Sequence, residues 1–158
     1  MGRILSVLVD NEPGVLTRVA GLVARRGFNI DSLAVGRTED PTRSRITIVV
    51  DADTQSVTQV TKQLHKLVNV HKINDLTEES HIDRELVLFK VNAEPSTRGE
   101  IIEIANVFRA NVVDVAPNSL TIEATGTDSK LDAMEDMFRS YGIKAICRTG
   151  KIALSRGV

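Results

Sequence analysis

The sequence is poor in aromatic residues, cysteine and net charge, and each shortage argues against a class of protein. It has no tryptophan and aromatic residues make up 3% of the chain, so a base-stacking surface for RNA has little material. Cys147 is the sole cysteine, which excludes an intramolecular disulfide and argues against a cysteine-based zinc site. Twenty basic residues face 21 acidic ones, so the basic field expected of a nucleic-acid-binding protein is missing.

Long hydrophobic runs are also absent. No apolar segment approaches the ~18 residues of a transmembrane helix. The chain enters a strand-like segment at Ile4, so we expect no signal peptide and a cytoplasmic location. The hydrophobic fraction of 42% is ordinary for a folded domain.

The first half of the chain alternates between two periodicities. Short β-branched runs predict strands, and apolar residues repeating at three, four and seven positions predict amphipathic helices. The predicted strands are 4–10, 29–35, 45–51 and 70–76, and the predicted helical stripes are Leu16, Val19, Ala20, Val23 and Val57, Val60, Leu64, Leu67. Their order is βαββαβ.

The second half repeats this order, which predicts an internal duplication. Its predicted strands are 85–92, 112–115, 119–125 and 143–149, and its predicted helical stripes are Ile101, Ile104, Ala105, Phe108 and Leu131, Met134, Phe138, Tyr141. The fold class expected is α+β: two tandem ferredoxin-like units, each an antiparallel sheet with both helices on one face. The expected domains are 1–77 and 84–158, with a polar linker at 78–83. Unpaired sheet edges rich in valine and isoleucine invite association between copies.

The segment between the first strand and the first helix is the candidate binding site. It contains Asn11, Glu12, Pro13, Gly14, Val15 and Leu16. Backbone amides at the start of a helix have no intrahelical partner and favour an anion such as a carboxylate. Asn11 could accept from an ammonium group, and Val15 and Leu16 could form an apolar wall, which together suit a zwitterionic aliphatic amino acid. From spacing alone, a turn with a helix cap is the simpler interpretation.

A resemblance that extends over more of the sequence favours a binding site over a simple turn in this segment. Asp10-x-x-Pro-Gly-Val-Leu16 after a strand resembles the signature of ACT domains, which are amino-acid-sensing βαββαβ modules. Further segments resemble the small regulatory subunits of acetolactate synthase (acetohydroxyacid synthase) in one register over nearly the whole chain. They are RGFNIDSL (26–33), TRSRITI (42–48), KQLHKL (62–67), GTDSKLD (126–132) and ALSRG (153–157).

The resemblance implies a site shared between two chains. One copy would supply the strand–helix loop and the other would supply Asn29 and Ile30 at the start of its second strand, with valine or another branched-chain amino acid bound between them. By itself, Asn29 is typical of a turn residue after a helix end. The implied protein is a homodimer, with an amino-acid-sensing and dimerising first domain and a regulatory second domain.

The resemblance also implies that the chemistry belongs to a partner. That partner is the large catalytic subunit, with thiamine diphosphate, magnesium and FAD, whereas this chain would hold no cofactor, metal or catalytic residue. The small subunit would activate the large one, and the bound amino acid would inhibit it.

Three other functions are weighed against this one. An acylphosphatase-like enzyme shares the βαββαβ plan but needs an arginine in the acidic loop at 10–12. An RNA-recognition sheet needs aromatics on strands that have none. An ACT sensor serving a different enzyme is the closest alternative. The sequence does not rank valine against leucine or isoleucine, because one methylene changes affinity by only ~1–3 kcal/mol.

Overall fold

A computed structural model describes residues 2–157, which form two compact units. The first comprises 2–82 together with 151–157, and the second comprises 83–150. Each unit has its own antiparallel sheet and its own pair of helices. The predicted fold class is therefore confirmed.

The first unit follows the predicted βαββαβ order. Its sheet has the strand order β2-β3-β1-β4, so β2 and β4 are the edge strands. The elements are β1 (Gly2–Asp10), α1 (Val15–Arg25), β2 (Asn29–Arg37), β3 (Arg43–Asp51), α2 (Thr54–His65) and β4 (Val70–Asp75).

Strand register decides which side chains of this unit are buried. Val7 lies opposite Ile46 and Leu5 lies opposite Ile48, so alternate residues of both strands share one sheet face. That face packs against the apolar stripes of both helices and forms the core. The stripe of α1 is Val15, Val19 and Val23, shifted by one position from the predicted Leu16.

The opposite face of the same sheet holds a smaller cluster that includes the C-terminal segment. Ala153 is buried with Ile4, Val49 and Leu76. Ala153 belongs to a short strand that the periodicity did not indicate, β9 (Ile152–Ser155). The amide of Arg156 donates to the carbonyl of Ser80 at 2.9 Å.

The division of the chain into two units differs from the expected domain boundaries. Residues 151–157 group with the first unit, although we placed them in the domain 84–158. The expected linker 78–83 is partly a strand, because β5 already begins at His81. The sequence did not indicate β9, because a strand of four residues is too short to show an alternating pattern. The burial of Ala153 depends on contacts with residues that are distant in sequence.

The second unit repeats the plan around a separate core. Its strand order is β6-β7-β5-β8, and Phe89 and Phe138 meet edge-to-face with ring centroids 5.4 Å apart. The elements are β5 (His81–Asn92), α3 (Arg98–Val107), β6 (Asn111–Ala116), β7 (Ser119–Gly126), α4 (Asp128–Arg139) and β8 (Ile143–Arg148).

None of the helices between residues 2 and 157 has the length and apolar character needed to span a membrane.

Candidate functional site

The loop that joins β1 to α1 is shaped by a glycine in the left-handed region. Gly14 has φ 84° and immediately precedes α1, with no side chain capping the helix. A side chain here is disfavoured by the backbone angle. It is not excluded by space, since a Cβ added at Gly14 would meet no atom within 4 Å. The surface beside Gly14 is therefore open.

The start of α1 offers backbone donors at this open surface. The amide of Arg18 donates to the carbonyl of Gly14 at 3.0 Å, which is the first bond of the helical ladder. The amides of Leu16 and Thr17 precede that bond and have no intrahelical acceptor. They lie at the positive end of the helix dipole, which favours a bound carboxylate.

Asn11 is held in place by the β2–β3 loop. Its backbone amide donates to the carbonyl of Thr42 at 2.8 Å, and its side-chain Nδ2 donates to the carbonyl of Pro41 at 3.1 Å. These bonds orient the exposed side chain and leave Oδ1 as an acceptor. Asn11 Oδ1 is therefore able to accept a hydrogen bond from a donor such as an ammonium group.

The two apolar residues after Gly14 have different positions. Val15 is 3% exposed and belongs to the core, whereas Leu16 is 39% exposed. Leu16 is thus available as an apolar wall, whereas Val15, which we expected to share that role, packs into the core. Glu12 and Pro13 are exposed, and the carbonyl of Glu12 accepts from the amide of Val15 at 3.4 Å.

Asn29 and Ile30 lie at the other end of the sheet. Asn29 is opposite Asp51, which in turn is opposite Gly2, while the loop follows Asp10, eight residues further along β1. At ~3.3 Å per residue, the two ends are about 26 Å apart along the strand. A single protomer therefore does not bring Asn29 and Ile30 to the loop.

The two residues at this distant end have different surroundings. The side chain of Asn29 is exposed, and its Nδ2 donates to Asp31 Oδ1 at 3.0 Å. Ile30 is half-buried against the core.

A polar network that the sequence did not indicate lies beneath the loop. Asn69, between α2 and β4, is 9% exposed. Its Nδ2 donates to Asp10 Oδ2 at 3.0 Å, and its Oδ1 accepts from Arg18 Nη1 at 2.8 Å. His71 Nε2 is 2.5 Å from Asp10 Oδ1. These partners are 51 to 61 residues apart in sequence, so no local pattern could have joined them.

Asp10 is kept ionised by this network. Hydrogen bonds from His71 and then from Asn69 hold the pKa of the Asp10 carboxyl below its usual value, with a smaller contribution from the charge of Arg43.

The second unit has a different surface at the equivalent place. The amide of Ala93 donates to the carbonyl of Asn118 at 3.0 Å, which matches the contact of Asn11 with the β2–β3 loop. The cavity here has a volume of about 470 Å³ and a mainly polar lining of Asn92, Glu94, Thr97, Asn118, Ser140 and Tyr141. No motif in the sequence predicted a site at this place.

Between residues 2 and 157, no group of three or more histidine, cysteine, aspartate or glutamate side chains is placed to hold a metal ion.

Two family models together cover most of the chain. The model described as the AHAS small subunit-like ACT domain matches residues 5–72. The model described as the small subunit of acetolactate synthase matches residues 84–157.

Two similar proteins and one solved structure match over 90% or more of their lengths. A probable acetolactate synthase small subunit of Archaeoglobus fulgidus is 54% identical over 157 residues, 99% of this chain and 98% of that protein. An acetolactate synthase small subunit of Mycolicibacterium smegmatis is 55% identical over 153 residues, covering 97% and 90%. The crystal structure of the Thermotoga maritima small subunit superposes with a TM-score of 0.91 at 38% identity and covers 100% of this chain and 99% of that chain.

Proposed function

Because the chain belongs to the family of acetolactate synthase small subunits, we propose that it is a non-catalytic regulatory subunit that activates a large catalytic subunit and confers feedback inhibition by valine. The reaction would be the condensation of pyruvate with pyruvate or 2-oxobutyrate. Thiamine diphosphate, magnesium and FAD would belong to the partner and supply that chemistry there. The observation that supports the proposal is the open surface beside Gly14, at the start of α1, within a chain of this family.

The loop supplies a group for each part of a branched-chain amino acid. The amides of Leu16 and Thr17 suit the carboxylate, Asn11 Oδ1 suits the ammonium group, and the side chain of Leu16 suits the aliphatic end. All three are needed together, since leaving a buried charge unpaired costs several kcal/mol.

A second copy would complete the site. As an edge strand, β2 can pair with a copy of itself about a two-fold axis. Antiparallel pairing places the Asn29 end of one β2 beside the Arg37 end of the other. Arg37 lies opposite Ser44, which lies opposite Val9, so this is the end of the sheet that carries the loop. Such a dimer would remove the separation of about 26 Å within one chain.

A shared site links valine binding to the arrangement of the two copies. Valine can shift the complex toward a less active state only through a difference in affinity between the two states. A coupling free energy of ~1–3 kcal/mol would give a roughly 5–150-fold effect.

The direct test is a reconstitution of the two subunits. The purified chain is added to its large subunit, and acetolactate formation is measured with and without valine. We expect activation without valine and a lower rate with it. An unchanged rate in both cases would contradict the proposal, and a pull-down that recovers a different enzyme would favour an amino-acid sensor for that enzyme.

A further inference from the structure

We propose that Asn69 is a positioning residue for the effector loop, residues 11–14 between β1 and α1. It links β1, this loop and α1 and so sets the affinity for the amino acid. The inference rests on the proposed function. Asn69 is not itself among the residues that would touch the ligand.

Its position explains how one side chain could act on the whole loop. Asn69 uses its backbone as well as its side chain, because its carbonyl accepts from the amide of Asp10 at 2.9 Å. With the side-chain bonds to Asp10 and Arg18, this fixes both the residue before the loop and the first turns of the helix after it. Glu12 Oε2 lies 3.5 Å from the same Nδ2. The segment between these anchors contains Asn11 and Gly14.

Because Asn69 is buried, the loss of any of these hydrogen bonds is costly. Asn69 is 9% exposed, so water has little access to replace a lost partner. An amide is also the group that this place requires, since it must donate to the carboxylate of Asp10 and accept from the guanidinium of Arg18. Aspartate has nearly the same shape but cannot make the first bond, because it has no donor when ionised.

The first experiment measures how well the backbone amides of the loop are protected from exchange when no ligand is present. Hydrogen exchange is followed at the amides of Asp10, Asn11 and Val15, each of which has a backbone acceptor. We expect Asn69→Ala to speed their exchange by about tenfold, while the amide of Ala93 in the second unit is unaffected. Asn74→Ala is the matched control, because it removes the same side chain from neighbouring β4. Equal protection in Asn69→Ala and the parent chain would overturn the inference.

The second experiment separates effector affinity from general damage to the fold. Calorimetry is expected to show valine affinity reduced about tenfold in Asn69→Ala, with maximal activation of the catalytic subunit retained. Loss of activation together with a lower unfolding temperature would indicate a merely structural role and would overturn the inference.

A reversed pair tests the hydrogen bond itself. Asn69→Asp should weaken valine binding at least as much as Asn69→Ala, because it places carboxylates face to face. Adding Asp10→Asn restores a donor on one side and an acceptor on the other, and it keeps an acceptor for His71. We expect this double variant to recover part of the lost affinity. No recovery relative to Asn69→Asp would overturn the inference.

The outcomes also distinguish this inference from the function on which it rests. If the parent chain binds neither valine, leucine nor isoleucine, the proposed function fails, and Asn69 loses its role in affinity even if the loop exchanges faster in Asn69→Ala. If the parent binds valine and Asn69→Ala binds it equally well, the proposed function stands and the inference fails.

Discussion

The two units share one topology, yet their strand–helix loops present different surfaces. Both loops contain the dipeptide Glu-Pro, at 12–13 and at 94–95. The next residue is Gly14 in the first unit and Ser96 in the second. Gly14 turns into the left-handed region and leaves open space before α1.

In the second unit, the side chain of Arg98 links the start of α3 to the β6–β7 turn. Its Nη2 donates to the carbonyls of Ala116 and Pro117 at 3.0 and 2.8 Å. Its Nε is buried, with no hydrogen-bond partner among residues 2–157. The cavity at this place in the second unit has a mainly polar lining that includes Glu94 and Thr97, so it offers little apolar surface to a branched side chain. We therefore expect valine to bind to the first unit alone.

The largest expected effect comes from placing a charge in the open loop. Gly14→Asp puts a carboxylate where the carboxylate of valine would bind, and it adds roughly 1–2 kcal/mol of backbone strain. We expect valine inhibition to be lost and activation to remain, as measured by calorimetry and by the acetolactate assay. Full-strength valine binding in this variant would refute the placement of the site.

Two controls isolate the cause of that loss. Gly14→Ala carries the strain without the charge and should retain part of the valine response. Ser96→Asp puts the same charge into the loop of the second unit and should leave the response unchanged. An equal loss in Ser96→Asp would end the distinction between the two units.

The next effect tests whether the site is shared. Asn29→His should weaken valine inhibition from the opposite end of the sheet. Mixing these chains with Gly14→Asp chains gives mixed dimers in which one of the two sites has an intact loop and an intact Asn29. We therefore expect the mixed dimers to regain about half of the valine sites, measured by calorimetry on dimers purified with two tags. Binding no greater than in either parent variant would contradict a shared site.

A smaller effect is expected at Arg98, which links α3 to the β6–β7 turn of the second unit. Arg98→Ala removes two hydrogen bonds to the β6–β7 turn and should lower the unfolding free energy of this unit by about 1–2 kcal/mol. Valine inhibition should not change. Urea unfolding measures the first quantity, with Lys90→Ala, an exposed basic residue of the same unit, as the control. A large change in valine sensitivity would show that the two loops do not act separately.

The smallest effect is a difference in acid stability. Within residues 2–157, the carboxyl groups whose pKa is lowered lie in the first unit, and they are Asp10, Asp40, Asp53 and Asp75. Hydrogen bonds from nearby residues cause the shift in the first three, while in Asp75 they outweigh an opposing effect of burial.

The sign of the pH effect follows from that direction. A group whose pKa is lower in the folded state adds stability above its unfolded value, here 3.8, and loses it as the pH falls through the folded value. We expect amide signals of the first unit to be lost before those of the second as the pH falls below about 4, measured by NMR. The reverse order would contradict this.

Periodicity was sufficient to predict most of the fold. In the part of the chain that the structure describes, the four helices and eight of the nine strands were predicted within a few residues, because each buries a stripe long enough to repeat. Tyr141 is an exception, since it lies beyond α4, which ends at Arg139, yet still packs against the core. The strand β9 was missed, because it is four residues long and its burial depends on contact with Ile4 and Val49.

The candidate site was only partly accessible from the sequence. The segment Asn11–Gly14 was found because turn residues and a helix start are local in sequence. The distinction between buried Val15 and exposed Leu16 needed the exact phase of α1 against the sheet. The role of Asn69 needed contacts across more than fifty residues.

The sequence alone determined the repeated order of elements, the approximate positions of the two helices in each unit and the glycine that opens the first loop, since these depend on periodicity and on local backbone preference. Tertiary structure decided which ends of the strands lie together, that Asn29 is remote from Gly14 within one chain, and that the C-terminal strand joins the first unit. The physical reason is that register and burial arise from pairing between distant segments, whose free energies no local stretch of residues carries.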